Sequence, residues 1–312
     1  MSDTPAPRQN VARGITFKVI SVLLILAMSA LVKTMGDVPI GEILFFRATF
    51  AIPPIIAMLI LRGQLRQGLK TRNPWGHVLR SLIGVSGMCF MFLALLNLPL
   101  PDTTAIYYAM PLVITVLSVI FYKENVRLFR WSAVLIGFAG VLIVIWPNLS
   151  FNSGGTNFEG TRQFGIVMAL CGVMTGSFAA VLVRKLVKTE TSEAIVLYYS
   201  VMASILCLAT FPFGWVLVSA GQMAILVMIG ILGGLGQIFL TDSFRHADMS
   251  VIAPFEYSSL IFSSLIGYFF FAEIPTLYTI AGGLIVTAAG VAIIWRERHL
   301  GLKRELKEVA SR

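Results

Sequence analysis

The stretch MSVIAPFEYSSLIFSSLIGYFFF, residues 249–271, decides the class of this protein. It is almost wholly apolar and long enough to cross a bilayer, which takes about twenty such residues. It nevertheless contains one charged side chain, Glu256. Because an ionised carboxylate at the centre of a hydrocarbon layer costs roughly 3 kcal/mol on insertion scales, we expect either a partner or a function for Glu256.

The composition extends this prediction from one stretch to the whole chain. Hydrophobic residues make up 57% of the 312 positions and charged residues only 12%, about half of the charged share of a usual soluble domain. We therefore predict an integral membrane protein. The three cysteines stand alone in apolar runs, without the paired spacing of a metal site or a disulfide framework, so we expect no metal and no cofactor.

Ten stretches of the chain are long and apolar enough to span a membrane. Their connections are short, and the longest, 147–163, is a polar loop rich in Gly, Asn and Ser. We predict spans 1 to 10 at 14–35, 40–61, 75–97, 102–122, 130–146, 164–186, 192–218, 223–242, 249–271 and 275–296. Residues 1–13 are polar and lack the apolar core of a signal peptide, so we interpret them as a cytoplasmic tail.

Lysine and arginine predict the orientation, because cytoplasmic loops carry the positive excess. With the N-terminus inside, 21 of the 24 basic residues fall at the inner side, Lys18, Arg62 and Arg80 among them, whereas Arg47 lies within span 2. Both termini, including the tail 297–312, are then predicted to be cytoplasmic. This topology explains the net charge of +9, and since no soluble domain carries a patterned basic face, we expect no nucleic-acid partner.

The chain matches itself at a separation near 150 residues, which indicates an internal repeat. Each repeat holds five spans, an odd number, so the second must enter the membrane from the opposite side. Shifts of 151 and 149 residues pair Gly14 with Gly165, Lys33 with Arg184, Glu42 with Glu193, Gly84 with Gly233, Gly87 with Gly236, Tyr108 with Tyr257 and Glu124 with Glu273. Two inverted repeats predict a secondary transporter, whose halves rock around a central substrate.

Two segments carry a resemblance to a known family. Residues 98–147, which begin LPLPDTTAIYYAMPLV, and residues 247–295, which begin ADMSVIAPFEYSSL, resemble the two EamA repeats of the drug/metabolite transporter superfamily. The resemblance implies an all-α integral membrane fold with ten transmembrane helices in two inverted five-helix repeats, 14–146 and 164–296. It also implies a central cavity built mainly by spans 1–4 and 6–9, with spans 5 and 10 at the periphery.

Within that superfamily, FEY in span 9, FFRATF in span 2 and RQNVARG before span 1 resemble bacterial metabolite carriers of the inner membrane. We predict a secondary transporter that works by alternating access, with riboflavin uptake as the leading substrate hypothesis. The alternatives are an exporter or exchanger of amino acids, S-adenosylmethionine or drugs, and, in another class, a channel. An enzyme is not expected, because no HExxH, GxSxG or Walker sequence occurs. The expected partners are the lipid bilayer and a small-molecule substrate, with the chain acting as a monomer or homodimer.

Two charges inside predicted spans are the first candidates for a substrate or coupling site. At 1.5 Å per residue, Glu256 lies roughly 10 Å from the inner face and Arg47 roughly 10 Å from the outer face. They are too far apart for a salt bridge but suited to the two ends of one ligand. Pro254 removes a backbone donor and loosens the helix before Glu256. The structural alternatives are a carboxylate bound by neighbouring hydroxyls, such as Ser258, and an Arg47 that reaches outward.

Aromatic and small residues complete the candidates. Five tyrosines offer flat, partly polar surfaces to a substrate, or else lie at the membrane interface: Tyr107, Tyr108, Tyr198, Tyr199 and Tyr257. Four glycines shared by spans 3 and 8 allow close packing or line the rocking interface: Gly84, Gly87, Gly233 and Gly236. Pro111 marks a kink where a gate bends. The pairs Lys33 with Glu42 and Arg184 with Glu193 are expected to fasten helix turns.

Overall fold

The computed structural model describes residues 11–63, 65, 69–71, 73–122, 128–148, 162–186, 189–246 and 253–310, which fold almost entirely into helices. The α-helices are α1 (Val11–Lys33), α2 (Ile40–Thr49), α3 (Ile52–Leu61), α4 (Pro74–Asn97), α5 (Leu100–Tyr107), α6 (Met110–Tyr122), α7 (Leu128–Ile145), α8 (Arg162–Leu186), α9 (Ser192–Leu208), α10 (Ala220–His246), α11 (Ser258–Phe271) and α12 (Leu277–Ala310). Short 3₁₀ helices cover Trp146–Asn148, Phe211–Phe213 and Ala253–Tyr257. The predicted tail 1–13 and loop 147–163 lie mostly outside the described residues.

The ten predicted spans are confirmed, since each coincides with one helix or with two consecutive helices. Five helical stretches of the described chain are individually long and apolar enough to cross a membrane: Ala12–Lys33, Ile40–Leu61, Pro74–Asn97, Arg162–Val183 and Ala220–Ser243. Spans 5, 7, 9 and 10 contain shorter apolar helices. Their outward faces expose large apolar side chains such as Leu135, Leu142, Ile261 and Phe269. Such side chains are compatible with contact to lipid tails, which are equally apolar.

Two spans are broken in the middle, next to prolines. Span 2 divides into α2 and α3 at Phe50–Ala51, and Pro53 and Pro54 follow at once. Because proline has no amide hydrogen, the carbonyl groups one turn earlier lose the donors of a continuous helix. Span 4 divides into α5 and α6 at Tyr108–Ala109, just before Pro111. Both breaks leave backbone groups that other parts of the bundle must satisfy.

Three spans differ from their predicted bounds. The sequence predicts span 7 to run to 218, but α9 ends at Leu208, and the following 3₁₀ helix contains Pro212 and ends at Gly214, whose φ of 95° is left-handed. Span 9 is entered through a 3₁₀ helix, so Pro254 and Glu256 lie on a tighter turn than the predicted α-helix. Helix α12 continues beyond the predicted end of span 10 at 296.

The two repeats run through the bundle in opposite directions. Glu42 at the start of α2 accepts a hydrogen bond of 3.1 Å from the amide of Val216, beyond the end of α9. Arg62, just after α3, forms a salt bridge with Glu193 at the start of α9. Spans 2 and 7 are therefore antiparallel. Following the predicted orientation, we call the end that carries Arg62 the inner end and the end that carries Glu42 the outer end.

The remaining helix pairs follow the same inverted symmetry. Span 4 packs against span 9, and span 5 against span 10. The most extensive contacts join α1 to α10 and α4 to α8. Exchanging the two repeats turns spans 1 and 8 into spans 6 and 3, so these two contacts are equivalent. The inverted architecture is thus present in the packing as well as in the sequence.

Spans 5 and 10 cross at two glycines. A Cβ built on Gly282 would lie 2.5 Å from the carbonyl oxygen of Gly140, and one built on Gly140 would lie 2.9 Å from the carbonyl oxygen of Gly282. Small residues of this kind let two backbones approach closely inside a membrane. The crossing therefore joins the last spans of the two repeats without room for a side chain.

We expect Gly282→Ala to lower the melting temperature of the detergent-solubilised protein. The added methyl must displace the Gly140 backbone, and overpacking of this kind costs about 1–3 kcal/mol. The matched control is Gly36→Ala, because a Cβ at Gly36 meets nothing within 4 Å. Thermal unfolding followed by tryptophan fluorescence measures both variants, and equal melting temperatures would contradict the close crossing.

Candidate functional site

Arg47 is buried at the centre of the bundle although it carries a charge. Its residue is 2% exposed, and its Nε is buried without a hydrogen-bond partner. The room for its guanidinium comes from Gly233 in α10, where an added Cβ would lie 3.1 Å from that Nε. The alternative in which Arg47 reaches outward does not occur.

A second arginine, Arg80, is buried as well. The sequence counts Arg80 among the basic residues of the inner side, but in α4 its Nε and Nη1 are buried and lack hydrogen-bond partners. Its guanidinium carbon lies 4.1 Å from the ring centroid of Tyr199. Gly84, one turn further along α4, provides the space, since a Cβ there would overlap Nη1 of Arg80.

Tyr199 in α9 connects the two arginines. The guanidinium carbon of Arg47 lies 5.6 Å from the centroid of the same ring, within the range of a cation–π contact. The Tyr199 hydroxyl donates to the carbonyl oxygen of Gly84 at 3.4 Å. Small or apolar side chains pack around the ring: Ala48, Ala203, Val85 and Met88.

The charges of this central cluster, Arg47, Arg80 and Tyr199, are not compensated by an acid. Among the residues that the structure describes, neither arginine forms a salt bridge with a carboxylate. An arginine in the middle of a bilayer costs roughly 3 kcal/mol on insertion scales. Two such residues in one cluster therefore carry a cost that no described carboxylate offsets.

Glu256 has a cationic partner that the sequence did not indicate. Its Oε2 forms a salt bridge with Nζ of Lys18 in α1. The side chain of Lys18 is 4% exposed, whereas that of Glu256 is 48% exposed. The hydroxyl suggested as an alternative partner, Ser258, donates instead to the carbonyl oxygen of Phe255 at 2.6 Å. The charge of Glu256, in the second repeat, is thus compensated by Lys18 of the first repeat and not by a residue near it in the sequence.

Glu256 and Arg47 lie at different depths. Arg47 borders Gly233 together with Met28 of α1, whereas Glu256 lies at the level of Lys18 on the same helix. The stretch of α1 between Lys18 and Met28 rises roughly 15 Å at 1.5 Å per residue. The structure therefore contains two separate levels, an uncompensated positive cluster at Arg47 and the Lys18–Glu256 ion pair, rather than one ion pair between Arg47 and Glu256.

The five candidate tyrosines do not gather into one surface. The rings of Tyr108 and Tyr257 meet at 4.9 Å. The Tyr108 hydroxyl donates to the carbonyl oxygen of Tyr257 at 2.7 Å and accepts from the amide of Leu260 at 2.5 Å. It thereby satisfies the backbone where the 3₁₀ helix of span 9 meets α11. The Tyr107 hydroxyl is buried in a notch left by Gly172.

Tyr198 lies away from the centre, and only Tyr199 joins the arginines. The Tyr198 hydroxyl donates to the carbonyl oxygen of Leu69 at 2.9 Å. Its ring centroid lies 4.6 Å from that of His77. These contacts hold Tyr198 at the inner end, where it attaches span 7 to the chain between spans 2 and 3.

The repeat-related glycines have matching surroundings. The first pair, Gly84 and Gly233, makes room for the two arginines. In the second pair, Gly87 contacts α8 and Gly236 contacts α1, where an added Cβ would lie 2.9 Å from a side-chain atom in each case. One pair of glycines therefore borders the central cluster, and the other sits in the two equivalent helix contacts.

The inner cluster consists of Arg62, Glu193 and Asp242. Arg62 forms a salt bridge with Glu193, and its Nη2 lies 2.6 Å from Oδ2 of Asp242. The hydrogen bond to Asp242 is the largest cause that raises the pKa of Arg62, so its guanidinium stays protonated. The cluster fastens the inner ends of spans 2, 7 and 8 to each other.

The outer cluster consists of Lys33 and Glu273. Their Nζ and Oε1 lie 2.6 Å apart, and Lys33 also donates to the carbonyl oxygen of Leu98 at 2.6 Å. The expected pair Lys33 with Glu42 is wrong, because the Glu42 carboxylate binds the Val216 amide instead. The expected pair of Arg184 with Glu193 stays a prediction, because the side chain of Arg184 lies outside the described residues; Glu193 forms a salt bridge with Arg62.

Comparison with known proteins identifies the family. The model of the EamA-like transporter family matches residues 12–146 and 163–296. The chain belongs to this family. The name of the family and the names of the relatives indicate transporters rather than enzymes. Among the residues that the structure describes, no three His, Cys, Asp or Glu side chains are grouped as a metal site requires.

Two of the curated relatives reported for this EamA-like chain are named for different metabolites, and a third is named as a solute carrier. The S-adenosylmethionine uptake transporter of Rickettsia felis is 26% identical over 82% of this chain and 83% of its own length. The pseudopaline exporter CntI of Pseudomonas aeruginosa is 27% identical over 90% of this chain and 95% of its own. Solute carrier family 35 member G1 of Homo sapiens is 27% identical over 93% of this chain and 81% of its own.

A solved crystal structure has the same fold. It superposes with a TM-score of 0.65 at 18% sequence identity and covers 93% of this chain and 99% of its own. At this identity the likeness concerns the fold alone. The arrangement of ten helices described here is therefore one that an experimentally determined protein also adopts.

Sequence reasoning missed Lys18 and Arg80 as interior residues of this EamA-like bundle. For Arg80 a signal was available, because Asn73 caps α4 by accepting a hydrogen bond of 2.9 Å from the amide of Gly76. A helix that starts there carries Arg80 roughly 10 Å into the membrane. Lys18 lies inside predicted span 1, but because it is counted among the basic residues of the inner side, the sequence does not single it out as an interior residue.

We expect Glu256→Gln to lower the melting temperature more than Lys18→Met does. The first change leaves the buried ammonium of Lys18 unpaired, whereas the second leaves a carboxylate that is half exposed. Removing one member of a buried pair is costly, but replacing both with neutral groups is often tolerated. The double variant is therefore expected to recover most of the loss. Additive effects of the two changes would contradict a direct Lys18–Glu256 pair.

Proposed function

We propose that this protein is a secondary transporter that carries a small zwitterionic metabolite across the bacterial inner membrane by alternating access. S-adenosylmethionine is the leading candidate. In this proposal both termini face the cytoplasm, the chain acts as a monomer or homodimer, and the bilayer and the substrate are its partners.

The observation that carries the proposal is the use of equivalent acids at the two ends of the bundle. Glu42 binds the amide of Val216 at the outer end of span 7, and its repeat partner Glu193 binds Arg62 at the inner end of span 2. Each acid fastens the start of one span to the end of its counterpart. Releasing one end while the other stays fastened is the motion that alternating access requires.

Two features support a zwitterionic substrate. The central cluster offers positive charge, and at another depth the half-exposed carboxylate of Glu256, which is paired with Lys18, can also accept from a cationic group of the substrate. S-adenosylmethionine carries a carboxylate together with ammonium and sulfonium groups, and relatives that span most of this chain are an S-adenosylmethionine uptake transporter and a pseudopaline exporter. Riboflavin carries no carboxylate and is not named by these relatives, so the substrate hypothesis moves from riboflavin to S-adenosylmethionine.

Transport by purified protein in proteoliposomes tests this function. We expect saturable uptake of radiolabelled S-adenosylmethionine and counterflow from vesicles loaded with the unlabelled compound. Excess unlabelled S-adenosylmethionine should abolish the signal, whereas excess riboflavin should leave it unchanged. Repeating the assay with and without a pH gradient separates proton coupling, which requires a gradient effect, from exchange, which does not.

Protein-free vesicles and vesicles with a heat-denatured sample are the controls. Flux that rises linearly with concentration and shows no counterflow would favour a channel over a carrier. Competition by riboflavin at low concentration would return the hypothesis to riboflavin. Absence of S-adenosylmethionine uptake, with folded protein confirmed in the vesicles, would contradict S-adenosylmethionine as the substrate.

A further inference from the structure

We propose that Arg47, Arg80 and Tyr199 form the binding site for a carboxylate group of the transported molecule. This assignment rests on the proposed transport function and specifies the chemistry of its substrate. It follows from three properties of the central cluster: its uncompensated charge, the arrangement of its guanidinium groups, and the helices that contribute to it.

The positive charge of Arg47 and Arg80 is not compensated by a carboxylate of the described residues, so an anion bound from outside would stabilise it. Arg47 is 2% exposed, and the Nε atoms of both arginines are buried without hydrogen-bond partners. Two other cations inside spans have carboxylate partners, since Lys18 pairs with Glu256 and Lys33 with Glu273. Buried donors without acceptors are uncommon in folded proteins, and an ion or ligand that supplies the acceptor is one explanation for them.

The described contacts leave the Nε atoms of both arginines and Nη1 of Arg80 without an acceptor. Tyr199 contacts both groups through its ring, at 5.6 Å for Arg47 and 4.1 Å for Arg80. Contact with a ring uses the charge of a planar guanidinium, while its N–H donors remain directed along their own plane. Gly84 and Gly233 lie directly against these groups, since a Cβ at Gly84 would overlap Nη1 of Arg80 and one at Gly233 would lie 3.1 Å from Nε of Arg47. In the proposed site, the carboxylate accepts from N–H donors of these guanidinium groups.

A carboxylate fits this environment better than a phosphate. The side chains that pack around Tyr199 are apolar or methyl groups: Ala48, Ala203, Val85 and Met88. Two guanidinium forks can satisfy the two oxygens of a carboxylate, whereas a phosphate presents three or four oxygens and needs more donors. We therefore assign the cluster to a carboxylate, and phosphate becomes an outcome of the test.

The cluster is built from both repeats. Arg47 lies on span 2 and Arg80 on span 3 of the first repeat, whereas Tyr199 lies on span 7 and Gly233 on span 8 of the second. A group bound here contacts both halves at once. Its arrival and departure can thus be coupled to the rocking of one half against the other.

The test compares wild type with Arg47→Met and Arg80→Met by thermal unfolding in detergent. Without ligand, each variant removes an unpaired buried charge, so its melting temperature is expected to equal or exceed that of wild type. With S-adenosylmethionine, wild type is expected to shift upward, and the concentration for half of that shift should rise about 10- to 100-fold in either variant. Lys70→Gln, which removes an exposed charge, is the matched control.

Two further arms identify the group that is recognised. In wild type, decarboxylated S-adenosylmethionine should raise the melting temperature much less than S-adenosylmethionine does. In each methionine variant, the two compounds should raise the melting temperature by nearly the same amount. Sodium acetate should stabilise wild type at millimolar concentrations but not the variants, whereas sodium phosphate should not. Arg80→Lys should retain part of the effect, since it keeps the charge but loses the fork.

The outcomes separate this site from the wider proposal. An acetate shift that requires both arginines, without an S-adenosylmethionine shift, supports the carboxylate site and rejects that substrate. A phosphate shift without an acetate shift overturns the carboxylate assignment. Wild-type ligand shifts retained in both folded variants, or no shift of wild type with any of the four compounds, overturn the site.

Discussion

The rest of this structure depends on the cost of placing charge in a low-dielectric bilayer. Most of the described charges within or beside the spans are paired, and the pairs join one repeat to the other. These are Lys18 with Glu256, Lys33 with Glu273, and Arg62 with Glu193 and Asp242. Because desolvated charges must stay compensated, each pair that forms fixes one relative position of the two halves. The described ion pairs of the bundle are therefore concentrated at the interface between the two repeats.

The inverted repeat supplies equivalent positions, and the sequence fills them with different chemistry. At a shift of 149 residues, Tyr107 of span 4 corresponds to Glu256 of span 9. Tyr107 is sealed against a glycine of span 6, whereas Glu256 faces a lysine of span 1. The glycine pair shows the reverse case, since Gly84 and Gly233 each accommodate an arginine. The repeat symmetry thus determines which positions are equivalent, and different residues at those positions make the two halves of the bundle chemically different.

Hydropathy and proline predicted most of the fold because both act locally. Runs of apolar residues gave ten spans, the odd number of spans per repeat gave the inversion, and Pro53 and Pro111 lie beside the two breaks. Partner choice could not be predicted in this way. Lys33 was assigned to Glu42, nine residues away in the chain, but it binds Glu273 from the other repeat. A spacing along the sequence carries no information on which distant helix lies alongside.

The sequence predicts Arg47 and Tyr199 of the central cluster as candidates but not Arg80, for a related reason. Arg47 stood out because it lies in the middle of an apolar run, and burial in the structure agrees. Arg80 lies near a helix end, where a basic residue is interpreted by the side of the membrane it faces rather than by its depth. Its position became clear only from the cap at Asn73 and from the ring of Tyr199. Topology statistics thus hide interior cations that lie within two turns of a span's start.

The two ends of the bundle are not fastened equally. In the inner cluster Arg62 is 32% exposed, and one guanidinium serves two carboxylates. In the outer cluster Lys33 and Glu273 are 15% and 17% exposed, and both also bind backbone groups. Salt screens accessible charges more than buried ones. In the inner cluster salt reaches only Arg62, because Glu193 and Asp242 are 0% and 1% exposed, and this cluster lies at the end predicted to face the cytoplasm. The two clusters are not repeat equivalents, since Lys33 corresponds to Arg184 and Glu193 to Glu42. The inverted symmetry of the helices therefore does not extend to the ion pairs that fasten their ends.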